Sequence, residues 1–213
     1  MLLEMHCHTS RYSRCSQIDP ASLLRQVKKK ELQGVIITEH HYLWKEEEIK
    51  ALRAEAELDE SFLIMPGQEV ETDIGHVIVL GADATIENEI SLRDLREMLP
   101  EAALIWAHPF RGGNVPDEKK LLSPMFDAIE IFSMNQTQKE NYSGLKAWHK
   151  YKFTALSGSD THSEDTAGIY PAQFDHPVST IKDVVEEIKR SRCRPFFKEI
   201  PKSGTNIVVT EIT

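Results

Sequence analysis

The chain is poor in cysteine: three in 213 residues, Cys7, Cys15 and Cys193, odd in number, widely spaced and without a Cys-x-x-Cys pair. A disulfide framework or a zinc ribbon is therefore excluded as the basis of the fold, and a reducing compartment is implied. Basic charge is also short, with 25 Lys and Arg against 34 Asp and Glu and a formal net charge of -9. General binding to nucleic acid or to an anionic membrane draws on a basic surface, so neither is expected as the main partner. No apolar run approaches the roughly 20 residues of a membrane span, and "MLLEM" leads into a strand with no basic leader, so a cytoplasmic protein is expected. Internal repeats, a P-loop and a dinucleotide fingerprint are all lacking. What is present is ordinary for one sizeable core, 40% hydrophobic and 28% charged residues, and residues 1–213 are read as a single domain.

Apolar periodicity alternates between strand and helix. "EMHCHTS" opens as a strand, and "IDPASLLRQVKKKELQG" follows as a helix with Asp19 as N-cap, Pro20 in the first turn and Gly34 beyond the last. "GVIITEH" is a continuous apolar run suited to a strand buried on both faces, and "KEEEIKALRAEAELDE" is a helix. "SFLIMPGQEVE" and "GHVIVLGA" are two strands joined by a short polar turn; "ALIWAHPF", "FDAIEIFS" and "FTALSGSD" are further strands. "SLRDLREML", "TQKENYSGLKAWHKYK" and "TIKDVVEEIKRS" are helices, "RPFFKEI" and "NIVVTEI" are apolar segments, and the polar loop "RGGNVPDEKK" is read as mobile. Such alternation predicts a parallel sheet with right-handed crossovers, open or closed into a barrel.

The residues able to bind metal gather at the strand ends: His6, His8, Glu39, His40, Glu69, His108, Glu130, Asp160 and His162. Side chains alternate along a strand, so His6 and His8 share one face. Two imidazoles packed together would each need a polar partner, and a metal ion supplies both. Glu69 and Asp160 could instead be helix caps or lysine partners, and His76, which begins a strand, could bond a backbone carbonyl. Imidazole and carboxylate without thiolate spacing suit Zn²⁺, Mn²⁺ or Fe²⁺, and more donors than one ion needs imply at least two ions. Pro109 is expected to hold His108 extended. Glu130 is expected to support a ligand histidine through its second ring nitrogen. Arg14 and Arg111 are the basic residues nearest this edge and could hold a phosphate by paired hydrogen bonds. His41, His149 and His176 are read as structural or exposed.

Taken together, "EMHCHT", "ITEHH", "PGQEVET", "GHVIVLG", "WAHPFR", "EIF" and "GSDTHS", in that order, resemble the polymerase and histidinol phosphatase (PHP) superfamily across most of the chain. The resemblance implies an α/β fold, a distorted (β/α)7 barrel of PHP type, with a metal site that hydrolyses phosphate esters. It implies His6, His8, Glu69 and Asp160 around one ion, Glu69 bridging to a second ion held by His76 and His108, and His40 and His162 facing a third position. The motif usually written Thr-Asp-His is Thr38-Glu39-His40 here, which makes Glu39 a support behind the ligands. Where the family often has another His or Asp after His-x-His, this chain has Arg14 and Cys15, so two firmly held ions and a weak third are expected.

The function so implied is hydrolysis of a small phosphorylated metabolite or nucleotide, short nucleic acid being a further candidate, by water bridging two ions. Asp160 would take part in catalysis, and His40 or His162 would donate a proton to the leaving group. Two other readings stay open: an amidohydrolase, which also begins with His-x-His but usually carries a mid-barrel lysine, and a metal-binding regulatory module without turnover.

Overall fold

The computed structural model describes residues 1–86 and 89–197. Its single sheet runs β7-β6-β5-β4-β3-β2-β1-β8-β9. The strands are β1 (Leu2–Glu4), β2 (Gly34–Glu39), β3 (Leu63–Thr72), β4 (Gly75–Leu80), β5 (Ala103–Trp106), β6 (Ala128–Phe132), β7 (Ala155–Ser157), β8 (Ala172–Phe174) and β9 (Cys193–Pro195). The two ends of this order, β7 and β9, pack against each other. Hydroxyl contacts reinforce that seam, Thr154 Oγ1 with Ser191 Oγ at 2.6 Å and Ser157 Oγ donating to the Pro171 carbonyl at 2.6 Å. The result is the nearly closed, distorted α/β barrel that the sequence implies.

The sheet is not wholly parallel. β1, β2 and β3 run parallel, as do β5, β6 and β7, but β4 is antiparallel to both β3 and β5. The turn between β3 and β4 forces this, because the chain reverses between paired Thr72 and Gly75 and no crossover fits there. Gly75 takes φ 109°, which glycine adopts without a Cβ penalty. β8 was not legible as a strand, and it pairs antiparallel with both β1 and β9. Gly67 lies inside β3, where a Cβ would come within 2.7 Å of Leu80 and 2.9 Å of Ile36, so glycine lets these neighbours close in.

The helices are α1 (Pro20–Lys29), α2 (Glu46–Glu55), α3 (Leu92–Met98), α4 (Glu118–Leu121), α5 (Gln138–Tyr151) and α6 (Ile181–Lys189). Side chains of Asp19, Ser91, Thr137 and Thr180 cap α1, α3, α5 and α6 by accepting backbone N–H groups of the first turn. Gly34 does not end α1 but begins β2; Glu31, at φ 65°, makes the left-handed turn instead. The loop read as mobile contains a 3₁₀ turn, Arg111–Gly113, and the single-turn α4. One core cluster joins Leu3, Ile36, Met65, Ile78, Ile105 and Leu156 of the strands to Val184 and Ile188 of α6. A second packs α1 and α2 on the sheet through Leu24, Val27, Val35, Ile37 and Leu52. Among the described residues no helix is long and apolar enough to cross a membrane. "NIVVTEI" lies outside the described residues.

Candidate metal centre

Two-residue alternation places Glu69 on the face of Met65 and Glu130 on the face of Ala128, so a polar layer follows an apolar one along the barrel. His6 and His8 lie just past β1, which ends at Glu4; only Cys7 keeps a strand-like bridge, to Thr161. The rings still converge, with His6 Nε2 and His8 Nε2 3.1 Å apart. Glu69 and Asp160 close the group: His6 Nε2 stands 3.4 Å from each carboxylate, and His8 Nε2 3.2 Å from Glu69 and 3.4 Å from Asp160. All four side chains are buried.

Two further groups adjoin this one. His76 Nδ1 and His108 Nε2 lie 2.8 and 3.0 Å from Glu69 Oε1, while His40 Nδ1 lies 3.2 Å from Glu69 Oε2. The donor atoms thus fall into three sets of metal-binding compactness: His6, His8, Glu69 and Asp160; Glu69, His76 and His108; and His8, His40 and His162. The third set therefore holds one imidazole more than the pair expected from the sequence. His8 belongs to two sets, yet its Nε2 has a single lone pair, so both cannot be filled with their full complement at once.

The supports behind these rings decide where their lone pairs point. His6 Nδ1 bonds Glu130 Oε1 at 2.9 Å, and Glu130 Oε2 accepts the His108 backbone N–H at 3.0 Å. Among the described residues Glu39 accepts no hydrogen bond from an imidazole. It accepts from Thr9 N at 3.0 Å, Trp44 Nε1 at 3.1 Å, and the hydroxyls of Thr9 and Ser13. His162 Nδ1 donates to the Asp160 carbonyl at 2.9 Å, which Asn135 Nδ2 also reaches at 2.8 Å.

Two residues of the centre have a left-handed backbone. His108 and Asp160 take φ 32° and 49°, left-handed values rare outside glycine. Pro109 therefore does not hold His108 extended; the bond from its N–H to Glu130 holds the turn instead. Strain of about 1–3 kcal/mol per residue persists only where surrounding bonds dictate it, as these do.

Burial opposes charge on His6, but the carboxylates of Glu130, Asp160 and Glu69 outweigh it and raise its pKa well above the usual value; His8 is raised too, against burial, by Asp160 and Glu69. Despite their own burial, Glu69 is pulled down by His6, His108 and His76, and Asp160 by His6 and His8. His40 and His162 move the other way. Burial, with His8 as a charged neighbour, lowers His40 to about 4 and also lowers His162. Near neutral pH both rings are therefore neutral, each with one nitrogen free to offer a lone pair.

Arg111 sits beside the centre, its guanidinium 3.7 Å from Asp160 Oδ2 and partly exposed. Arg14 is exposed, and no hydrogen bond or ion pair ties it to the centre among the described residues. His41 and His149 are exposed, and His176 pairs with Glu187 at 2.9 Å.

Sequence reading missed three supports. Glu4 is buried and accepts from His6 N at 3.0 Å, Ser159 N at 2.8 Å, Gly168 N at 3.0 Å and the Ser159 hydroxyl. The alternation that pairs His6 with His8 also puts Glu4 on their face, so the signal was available. Gly158 is the second, since a Cβ there would meet Glu130 Oε1 and His6 Cβ, both at 2.5 Å. Ser13, the third, has no periodic signature.

No family model and no curated protein matches the chain. Solved structures do match. PsfC from Pseudomonas syringae PB-5123 is 20% identical, with 93% of this chain and 91% of that one covered and a TM-score of 0.68. A protein from Bifidobacterium adolescentis ATCC 15703 described as a metal-dependent phosphoesterase is 14% identical over 89% of this chain and 96% of that one, with a TM-score of 0.57. An amidohydrolase from Chromobacterium violaceum, solved with bound sulfate and no metal, is 13% identical over 87% of this chain and 96% of that one, with a TM-score of 0.61. At these identities the likeness establishes a shared fold.

Proposed function

We propose that this chain is a metal-dependent hydrolase of phosphate esters, of the polymerase and histidinol phosphatase type. One observation carries the reading: the Nε2 atoms of His6 and His8 face each other at 3.1 Å inside a buried ring closed by Glu69 and Asp160. With both Nδ1 atoms directed at supports behind them, two lone pairs and two carboxylates converge on one point, an arrangement that repels itself unless protons on the rings or a metal cation offset it. The donor set therefore fits divalent ions such as Zn²⁺, Mn²⁺ or Fe²⁺. His6, His8, Glu69 and Asp160 would hold one, Glu69, His76 and His108 a second, and His40 and His162, with His8 already engaged, a weak third.

When bound, such ions supply positive charge toward phosphoryl oxygens and lower the pKa of water to about 7. The chain's own residues do the rest. Asp160, flanked by His6, His8 and Arg111, keeps the guanidinium aimed at the centre, where it can grip two phosphate oxygens in parallel. Glu69 uses Oε1 toward His6, His76 and His108 and Oε2 toward His8 and His40, so one carboxylate fixes the spacing of both firm positions. The net reaction is water plus phosphate ester to alcohol plus phosphate. The acidic chain favours small phosphorylated substrates over long nucleic acid. The phosphoesterase description of the Bifidobacterium neighbour supports the same reaction, and a cytoplasmic location remains part of the proposal.

Amide or lactone hydrolysis is the second reading, favoured by the Chromobacterium neighbour. Protein stripped by a chelator and reloaded with Mn²⁺, Zn²⁺ or Fe²⁺ should recover hydrolysis of an aryl phosphate, and a panel of amides and lactones should stay untouched. Activity on amides alone would favour the second reading; metal content without turnover on any panel would favour a regulatory module. If no ion lifts phosphatase activity above a His6→Ala, His8→Ala control, the proposal fails.

A further inference from the structure

Ser13 lies in "SRYSRCS", the segment where Arg14 and Cys15 draw attention first. Its side chain is buried and stands between two groups of opposite demand. On one side is the carboxylate of Glu39, which accepts the Ser13 hydroxyl proton. On the other are His8 Nδ1 at 3.3 Å and the backbone N–H of His40 at 3.2 Å. A hydroxyl carries one hydrogen and two lone pairs. If that hydrogen turned to His8, an oxygen lone pair would face the buried Glu39 carboxylate, a repulsion in a low-dielectric interior. The proton therefore belongs to Glu39, and the lone pairs accept from His8 and His40. His8 is thereby fixed as the Nδ1–H tautomer, with the lone pair of Nε2 directed at His6, Glu69 and Asp160.

We infer that Ser13 is a positioning residue which, with Glu39 behind it, sets the tautomer and ring angle of His8 and joins the end of β2 to the metal centre. Its counterpart at His6 is the direct bond from Nδ1 to Glu130, so the two central histidines are oriented by different devices: one carboxylate in contact, the other acting through a hydroxyl. Glu39 suits that indirect role because Thr9 and Trp44 hold its oxygens in place. The inference rests on the metal reading above insofar as His8 is taken to present its lone pair to an ion.

The test compares zinc affinity, by chelator competition, for the native protein, Ser13→Ala, Glu39→Gln and the double variant, with ¹⁵N spectra of the histidine rings in the zinc-loaded native protein. Loss of such an outer support typically weakens metal affinity about 10- to 100-fold, and that is the loss expected for each single variant. Because the two residues act in series, the double variant should be no weaker than the worse single one. The His8 ring should show a protonated Nδ1 and a zinc-bound Nε2. Native affinity in Ser13→Ala, fully additive losses, or zinc bonded through His8 Nδ1 would each overturn the inference. If Ser13→Ala fails to fold, the native ring pattern and the Glu39→Gln affinity decide it. A native protein that takes up no zinc overturns the metal reading and this inference with it, whereas native binding insensitive to either substitution overturns this inference alone.

Discussion

The four central donors and the three partly exposed imidazoles, His40, His76 and His162, differ in what stands behind them. His6, His8, Glu69 and Asp160 expose 0 to 2% of their surface, and His40, His76 and His162 expose 27 to 28% of their side chains. Behind the central rings are the dedicated supports Glu130 and Ser13. Among the described residues the rings of His40 and His76 have no such backing and lean through Nδ1 on Glu69, itself a candidate ligand. His162 leans on the Asp160 carbonyl. A buried ring locked by an independent partner is preorganised for one geometry. A half-exposed ring steadied by another ligand can move when that ligand changes. The centre thus combines a rigid floor with an adjustable rim, the division expected when substrate must enter and product leave at the exposed side.

Glu69→Gln should break that division most severely, because Glu69 is shared by floor and rim. The amide keeps the shape but replaces one carboxylate oxygen by a donor facing imidazole lone pairs, so both firm positions should empty together. Ions whose charge stabilisation is worth several kcal/mol are then lost, and phosphatase activity should fall about a thousandfold. Elemental analysis after dialysis checks the first point: retention of one full equivalent would show that the two positions do not share this carboxylate.

Gly158→Ala attacks only the floor. The added Cβ would press on Glu130 Oε1 and His6 Cβ at once, and neither can retreat, since each is buried and bonded to the other. Overpacking of this kind costs about 1–3 kcal/mol, and a chain of this size loses about 2–4 °C of Tm per kcal/mol. The metal-free variant should melt lower accordingly and bind its first zinc more weakly. An unchanged melting curve would mean that the His6–Glu130 pair has slack.

How far the sequence carries this centre depends on the kind of signal each residue leaves. His6, His8, Glu69, His108, Asp160 and their neighbours were legible because donor side chains recur at strand ends, and strand ends in such folds meet at one edge. His76 was legible only through the family pattern, since its position depends on the antiparallel turn that brings β4 back beside Glu69. Ser13 left no trace: serine is common in loops, and its role arises from a contact 26 residues away in sequence. β8 escaped because three residues beside Pro171 are too few for periodicity to register. The left-handed turn at His108 ran against the preference imposed by Pro109, and tertiary bonds to Glu130 overrode that local rule.

The smallest effect concerns the pH dependence of stability, and it sharpens the contrast of floor and rim by giving them opposite signs. In metal-free protein, His6 and His8 have pKa values above that of the unfolded chain, about 6.5, so their contribution is fully present below pH 6.5 and fades as pH rises through the folded values. At the rim, His40 is held down to about 4 and His162 is also lowered, so between pH 6.5 and 4 the unfolded chain binds protons that the folded chain does not, and stability falls toward acid. Glu69 and Asp160, both lowered, add to the loss at still lower pH. Metal-free protein should therefore melt highest near pH 6.5 and lower on either side. Zinc reverses the alkaline limb, because an ion competes with protons for the same lone pairs and binds more tightly as pH rises. Melting curves from pH 5 to 9, with and without zinc, check this: a metal-free Tm that keeps climbing through pH 8 would mean that the central histidines are already neutral without an ion, and that their lone pairs face each other unrelieved.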